Sequence, residues 1–118
     1  MSFWVLAWLR AFALTVAIEL VVAVPLLAPV ESGRARRIAT VALANLATHP
    51  LVWFAFPGLT FGAATRLVSS ELWAFLAEAA VYRLVWPAVS LRRAALVSLA
   101  ANAASVTVGL AMASVMGR

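Results

Sequence analysis

The sequence predicts an all-α fold: a polytopic membrane protein of four transmembrane helices, set as two tandem helical hairpins in one domain over residues 1–118. Three observations predict it. Apolar residues make up 66% of the chain and charged residues 11%, against roughly 45–50% and 25% in ordinary soluble proteins. A fold this small buries the smallest fraction of its surface, so lipid must cover what its own core cannot. Four apolar segments of about twenty residues, enough to cross a hydrocarbon core, alternate with short connectors rich in Gly, Pro and Arg. The arginines, finally, crowd into alternate connectors.

The first span is expected over Ala11–Val30, with "SFWVLAW" lying along the membrane interface ahead of it. This run has no positive charge before its apolar stretch and holds Glu19 in its middle, so it reads as a retained helix and not a cleaved signal. The second span covers Ile38–Phe56, after the connector "ESGRARR". The third covers Val68–Trp86, after "PGLTFGAATR", and the fourth Ala94–Met116, after "WPAVSLRR". In the fourth, Ala101, Ser105, Gly109 and Ala113 form a small-xxx-small row that predicts close helix contact.

Arg34, Arg36, Arg37, Arg83, Arg92 and Arg93 fall on one side and Arg10, Arg66 and Arg118 on the other. The positive-inside rule then predicts a multi-pass protein of the cell inner membrane with both termini outside the cytoplasm. Trp4, Trp8, Trp53 and Trp73 fall near the outer interface and Trp86 near the inner one, as an aromatic belt requires. The net charge of +5 comes from nine basic residues, all Arg, against four Glu. Placed between apolar runs, these arginines meet lipid headgroups, so the bilayer is the expected partner and nucleic acid is not. A second copy of the chain or another membrane protein is left open as a partner. With no Cys, disulfides, thiolate metal sites and cysteine nucleophiles are excluded.

The same hairpin occurs twice. "RRIATVALANLAT" (Arg36–Thr48) matches "RRAALVSLAANAAS" (Arg92–Ser105), with Asn45 on Asn102, Thr48 on Ser105 and Arg36 on Arg93. Glu19 falls on Glu78 if the second half gains two residues. The repeat units span about 11–56 and 68–116. Two such units inserted in the same sense form a parallel repeat about an axis along the membrane normal, with a shared site at its middle.

That middle is polar. At about 1.5 Å per residue, Glu19, Asn45, His49, Glu78, Asn102 and Ser105 all fall near mid-span, with Thr48 beside them. A charge at the bilayer centre costs roughly 3 kcal/mol or more, so such groups turn inward, find partners and mark function. Pro50 removes a helix hydrogen bond and frees the Leu46 carbonyl, which predicts a kinked wall beside His49. Glu71 reads as an outer, solvated or Arg66-paired residue, and Tyr82 as an anchor of the inner interface.

"LANLATHPL", "EAAVYR" and "AANAAS", with a Glu in the first and third spans, resemble a set of small bacterial four-span membrane proteins whose second span reads Asn-x-x-Thr-Asn-Pro. His49 here replaces the second Asn. The resemblance implies the four-span fold and carries no activity.

Two functions stay open. In one, Glu19, Glu78 and His49 bind protons or ions, supported by Asn45, Asn102, Ser105 and Thr48, in a proton- or cation-coupled transporter or channel. In the other, the chain is a non-catalytic membrane subunit whose polar cluster glues helices together. Hydrolytic and phosphate-binding motifs are absent, so catalysis is not expected. No cofactor is implied, and the donor set leaves any metal unassigned.

Overall fold

A computed structural model describes residues 2–55 and 62–116 as four α-helices with no strand among them. They are α1 (Phe3–Leu26), α2 (Arg34–Phe54), α3 (Ala63–Val85) and α4 (Leu91–Met116). Each helix packs on two neighbours, in the cyclic order α1–α2–α3–α4, and neither diagonal pair packs backbone against backbone among the described residues. The longest dimension is 42 Å, the length of one helix of this size.

The helices start earlier than the apolar runs suggest. The Ser2 hydroxyl accepts the Val5 N–H at 3.2 Å and caps α1. No Gly or Pro follows until Pro25 in the last turn, so "SFWVLAW" is part of α1 and not a separate interfacial segment. α1 ends at Leu26, short of the expected Val30, because Pro29, which has no N–H to continue the helix, stands in a turn over residues 27–30. α2 begins at Arg34 and runs unbroken through Pro50 to Phe54. The expected end of the second span at Phe56, most of the following connector and Arg118 lie outside the described residues. α3 stops one residue before Trp86, ahead of Pro87, and the Ser90 hydroxyl accepts the Arg93 N–H at 3.0 Å to cap α4.

The bundle has two unlike ends. At the arginine end, guanidinium groups satisfy carbonyls that the end of α1 and the α3–α4 connector leave open. Arg37 donates to the Val24 carbonyl at 2.6 Å, Arg93 to that of Leu26 at 3.5 Å, and Arg83 to that of Val89. Three arginines in the first turns of α2 oppose the helix macrodipole, and Glu31 offsets them. Its carboxylate pairs with Arg36 at 3.2 Å and accepts the Gly33 N–H at 3.1 Å and the Trp86 indole N–H at 3.3 Å. The Gly33 bond, then that of Trp86 and the nearby arginines, hold its carboxyl below the usual carboxylate range.

The core lies in this half. Leu27, Val41, Tyr82, Trp86 and Val97 fill it, and Ala23, Ala44, Ala94 and Ala101 let the helices close on them. Tyr82 is therefore a core residue, 1% exposed, and not an interface anchor.

At the opposite, terminal end, all of residues 107–116 of α4 are exposed. Of the small-xxx-small row, only Ala101 is buried, and a Cβ added to Gly109 would meet nothing within 4 Å. Among the described residues, Gly109 and Ala113 of the row close onto no other helix. Large apolar side chains cover the outside of the bundle on every helix. α1 and α4 are each long and apolar enough to cross a membrane. α2 holds three arginines, and α3 two arginines and two glutamates.

Candidate functional site

Above the core, the four helices separate around a cavity of about 200 Å³. Its floor holds Glu19 from α1, Asn45 and Thr48 from α2, Glu78 from α3 and Asn102 from α4. Its walls rise by Thr15, Glu71 and Ser105 to a rim that includes Ala11, His49, Trp53 and Leu110. From Glu19 to Ala11 is two turns of helix, so the cavity is roughly 12 Å deep. Its lining extends toward the terminal end, and the Tyr82–Leu27 core lies beneath its floor.

All seven residues singled out in the sequence line this one cavity. Their partners differ. Glu78 accepts from the side-chain amide of Asn102 and from the Thr48 hydroxyl at 3.5 Å, which ties α3 to α4 and α2. Asn102 also donates to the Ser98 carbonyl at 2.8 Å, and the Ser98 hydroxyl donates across to the Phe75 carbonyl at 2.8 Å. Glu19 has no such support. It is 1% exposed, yet neither carboxylate oxygen has a hydrogen-bond partner. Its nearest polar neighbours are the Glu78 carboxyl and the Asn45 amide, which gives one of its two hydrogens to the Val41 carbonyl at 2.9 Å.

Asn45 and Asn102, aligned in the sequence, make similar local bonds. Asn45 donates to the carbonyl four residues back, and so does Asn102. The Ser105 hydroxyl donates to the carbonyl of the Asn three residues back at 3.1 Å, whereas that of Thr48 shares its one hydrogen among the Ala44 and Asn45 carbonyls and Glu78. The asymmetry lies in the acids, since Glu78 has close bonds from both an Asn and a Thr and Glu19 has no such close donor.

His49 sits at the rim, bonded to neither acid. Its Nδ1 accepts the Trp8 indole N–H at 3.1 Å, so the ring is neutral with its proton on Nε2. The Phe12 ring lies 5.3 Å away and that of Trp53 6.4 Å. Nor does Pro50 open an acceptor into the cavity. Neither Pro50 nor Leu46 lines it, and Leu46 is 55% exposed on the outside of the bundle.

Sequence reasoning missed Ser98 and Trp8, and it placed Glu71 outside the site it lines. Ser98 is one turn before Asn102, a spacing that signals it. Trp8 is 41 residues from His49, and no local pattern links them. Among the described residues, no three His, Asp or Glu side chains are placed to hold a metal ion.

The fold and site define a small four-helix bundle with a one-ended acidic cavity. No protein family, curated protein or solved structure matches the chain.

Proposed function

We propose that the chain crosses the inner membrane four times, both termini outside the cytoplasm, as a proton- or cation-coupled transporter with Glu19 and Glu78 as its binding acids. The single observation that carries this reading is the Glu19 carboxyl, buried at the floor of an open cavity beside the Glu78 carboxyl, with no close N–H or O–H donor on either oxygen. Buried polar groups that only glue helices are paired, because an unpaired one costs the full desolvation penalty. Glu78, held by Asn102 and Thr48, fits the glue description. Glu19 does not: its nearest polar neighbours are Asn45 and the Glu78 carboxyl, and a proton or a cation shared between the two acids would complete it.

Two carboxyls this close in a low-dielectric site do not both stay charged without a cation between them. Binding a cation at Glu19 therefore releases a proton, which couples the two. A transporter is favoured over a channel because the cavity stops at a core of Tyr82, Leu27, Val41 and Val97. An open pore needs a continuous path, whereas alternating access needs a site closed on one side. The parallel repeat supplies two similar hairpins able to rock about the Glu19–Glu78 level.

The test is reconstitution in vesicles with a pH-sensitive dye inside and an outward-to-inward cation gradient. The wild type is expected to change lumenal pH, and Glu19→Gln and Glu78→Gln to abolish the change while keeping the helical spectrum. Full flux in both variants would make the cluster structural and leave the membrane-subunit reading.

A further inference from the structure

We infer that a groove between the end of α1 and the start of α4 holds one anionic phospholipid, its phosphate on Arg92 and Arg93 and an acyl chain along Leu96 and Ala100. This rests on the membrane-spanning part of the reading above and not on transport at Glu19. The groove is separate from the acidic cavity and encloses about 540 Å³, within the usual 300–1,000 Å³ of small-molecule sites. Leu26 of α1 faces Ser90, Arg92, Arg93, Leu96 and Ala100 across it. Arg92, Leu96 and Ala100 recur every four residues, so they stand one above another on α4. The groove is therefore charged at the first turn of α4 and apolar for roughly 12 Å below it.

The charged half is open to an anion. Arg92 is exposed and makes no hydrogen bond or ion pair among the described residues. Arg93 gives one N–H to the Leu26 carbonyl across the groove at 3.5 Å, which leaves most of its five donors. No acid among the described residues lines the groove. Glu31, the acid of this end, is already held by Arg36, Gly33 and Trp86. The positive end of the α4 dipole adds to the two guanidinium charges, and guanidinium groups take phosphate oxygens in pairs.

The apolar half selects a lipid over a free phosphate. Leu26 and Leu96 are 41% and 54% exposed, beside a buried Val97, and a small anion would leave them uncovered. A phospholipid satisfies both halves, because glycerol joins its phosphate to its acyl chains. A zwitterionic headgroup would bring its own cation against Arg92 and Arg93, with no acid in the groove to receive it. In the topology proposed above this end faces the cytoplasm, whose leaflet carries anionic lipids that basic pockets between helices bind.

The full chain in an uncharged detergent, melted with added phosphatidylglycerol, phosphatidylcholine of the same acyl chains, or glycerol phosphate, tests this. Phosphatidylglycerol is expected to raise the melting temperature in a saturable way, and the other two to give no saturable shift. Arg92→Gln, at an exposed side chain without partners, should weaken the apparent affinity several-fold. Arg34→Gln removes the same charge from the same end, on the helix diagonally opposite α4, and should leave the affinity unchanged. Equal weakening by the two variants reduces the effect to general charge attraction and overturns the site. An equal shift from phosphatidylcholine shows a groove blind to charge, and one from glycerol phosphate an anion site without an acyl groove; either overturns the inference. No shift in a chain that needs detergent to stay dispersed overturns the lipid site alone. A chain dispersed without detergent removes the membrane reading as well.

Discussion

The Trp8 indole N–H donates to Nδ1 of His49 at 3.1 Å, joining the start of α1 to the end of α2. This bond takes the chain's only histidine out of the acid cluster and makes it part of the rim, among Phe12 and Trp53. A double-mutant cycle with Trp8→Phe and His49→Phe should show a coupling of about 0.6 kcal/mol, the average for interhelical bonds in membrane bundles. Zero coupling in denaturant or thermal unfolding would mean that the two rings merely pack.

At the arginine end, Glu31 should make stability depend on pH. The Gly33 N–H, the Trp86 indole and Arg36 favour its charged form and hold its carboxyl below the ordinary value of 4.5. A depressed folded value stabilises fully above the unfolded value and is lost as pH falls through the folded one. The difference in melting temperature between wild type and Glu31→Gln should therefore be constant above about pH 5.5 and shrink below about pH 4.5. A difference that does not change with pH would show that the contacts do not act on the charge.

Gly109 offers a third check. A Cβ there meets nothing within 4 Å, and Gly inside a helix costs about 1 kcal/mol relative to Ala. Gly109→Ala should leave the chain as stable or more so. Ala101→Leu, at a fully buried position, should cost about 1–3 kcal/mol by overpacking. Destabilisation by Gly109→Ala would reveal a packing partner from outside this chain.

Topology is open to the same kind of measurement. The chain contains no Cys, so single cysteines report cleanly. Ser32 and Gly62 are both exposed and lie in connectors at opposite ends of the bundle. In intact cells, an impermeant thiol reagent should modify Gly62→Cys and spare Ser32→Cys. The reverse pattern would invert the orientation, and labelling of both would argue against four spans.

The polar set was legible in the sequence because ionisable and amide groups inside apolar runs are costly unless they converge, and Glu19, Asn45, Glu78 and Asn102 do converge. The helices were legible for a similar reason, since apolar runs broken by Gly, Pro and Arg leave few alternatives. What escaped depends on contacts distant in sequence or on shape. The Trp8–His49 bond links residues 41 apart. The row from Ala101 to Ala113 has the spacing for close contact, but the helices diverge around the cavity before Gly109. Pro50 frees a carbonyl as expected, yet helix phase turns it away from the site. The imbalance between a paired Glu78 and an unpaired Glu19 has no trace in the sequence, where the two acids look equivalent.

The central claim is that water and cations reach Glu19 from one side only, and cysteine labelling rates test it most directly. Thr15 and Ser105 line the cavity, whereas Ala94 is fully buried at the arginine end. Single cysteines at these positions would be treated from outside with a small cationic methanethiosulfonate and with a neutral one of similar size. Thr15→Cys and Ser105→Cys should label and Ala94→Cys should not. The cationic reagent should outpace the neutral one, because a cleft lined by acids concentrates cations, and adding Glu19→Gln should reduce that ratio several-fold. Unlabelled cysteines at both cavity positions, or a ratio that ignores Glu19→Gln, would contradict the account.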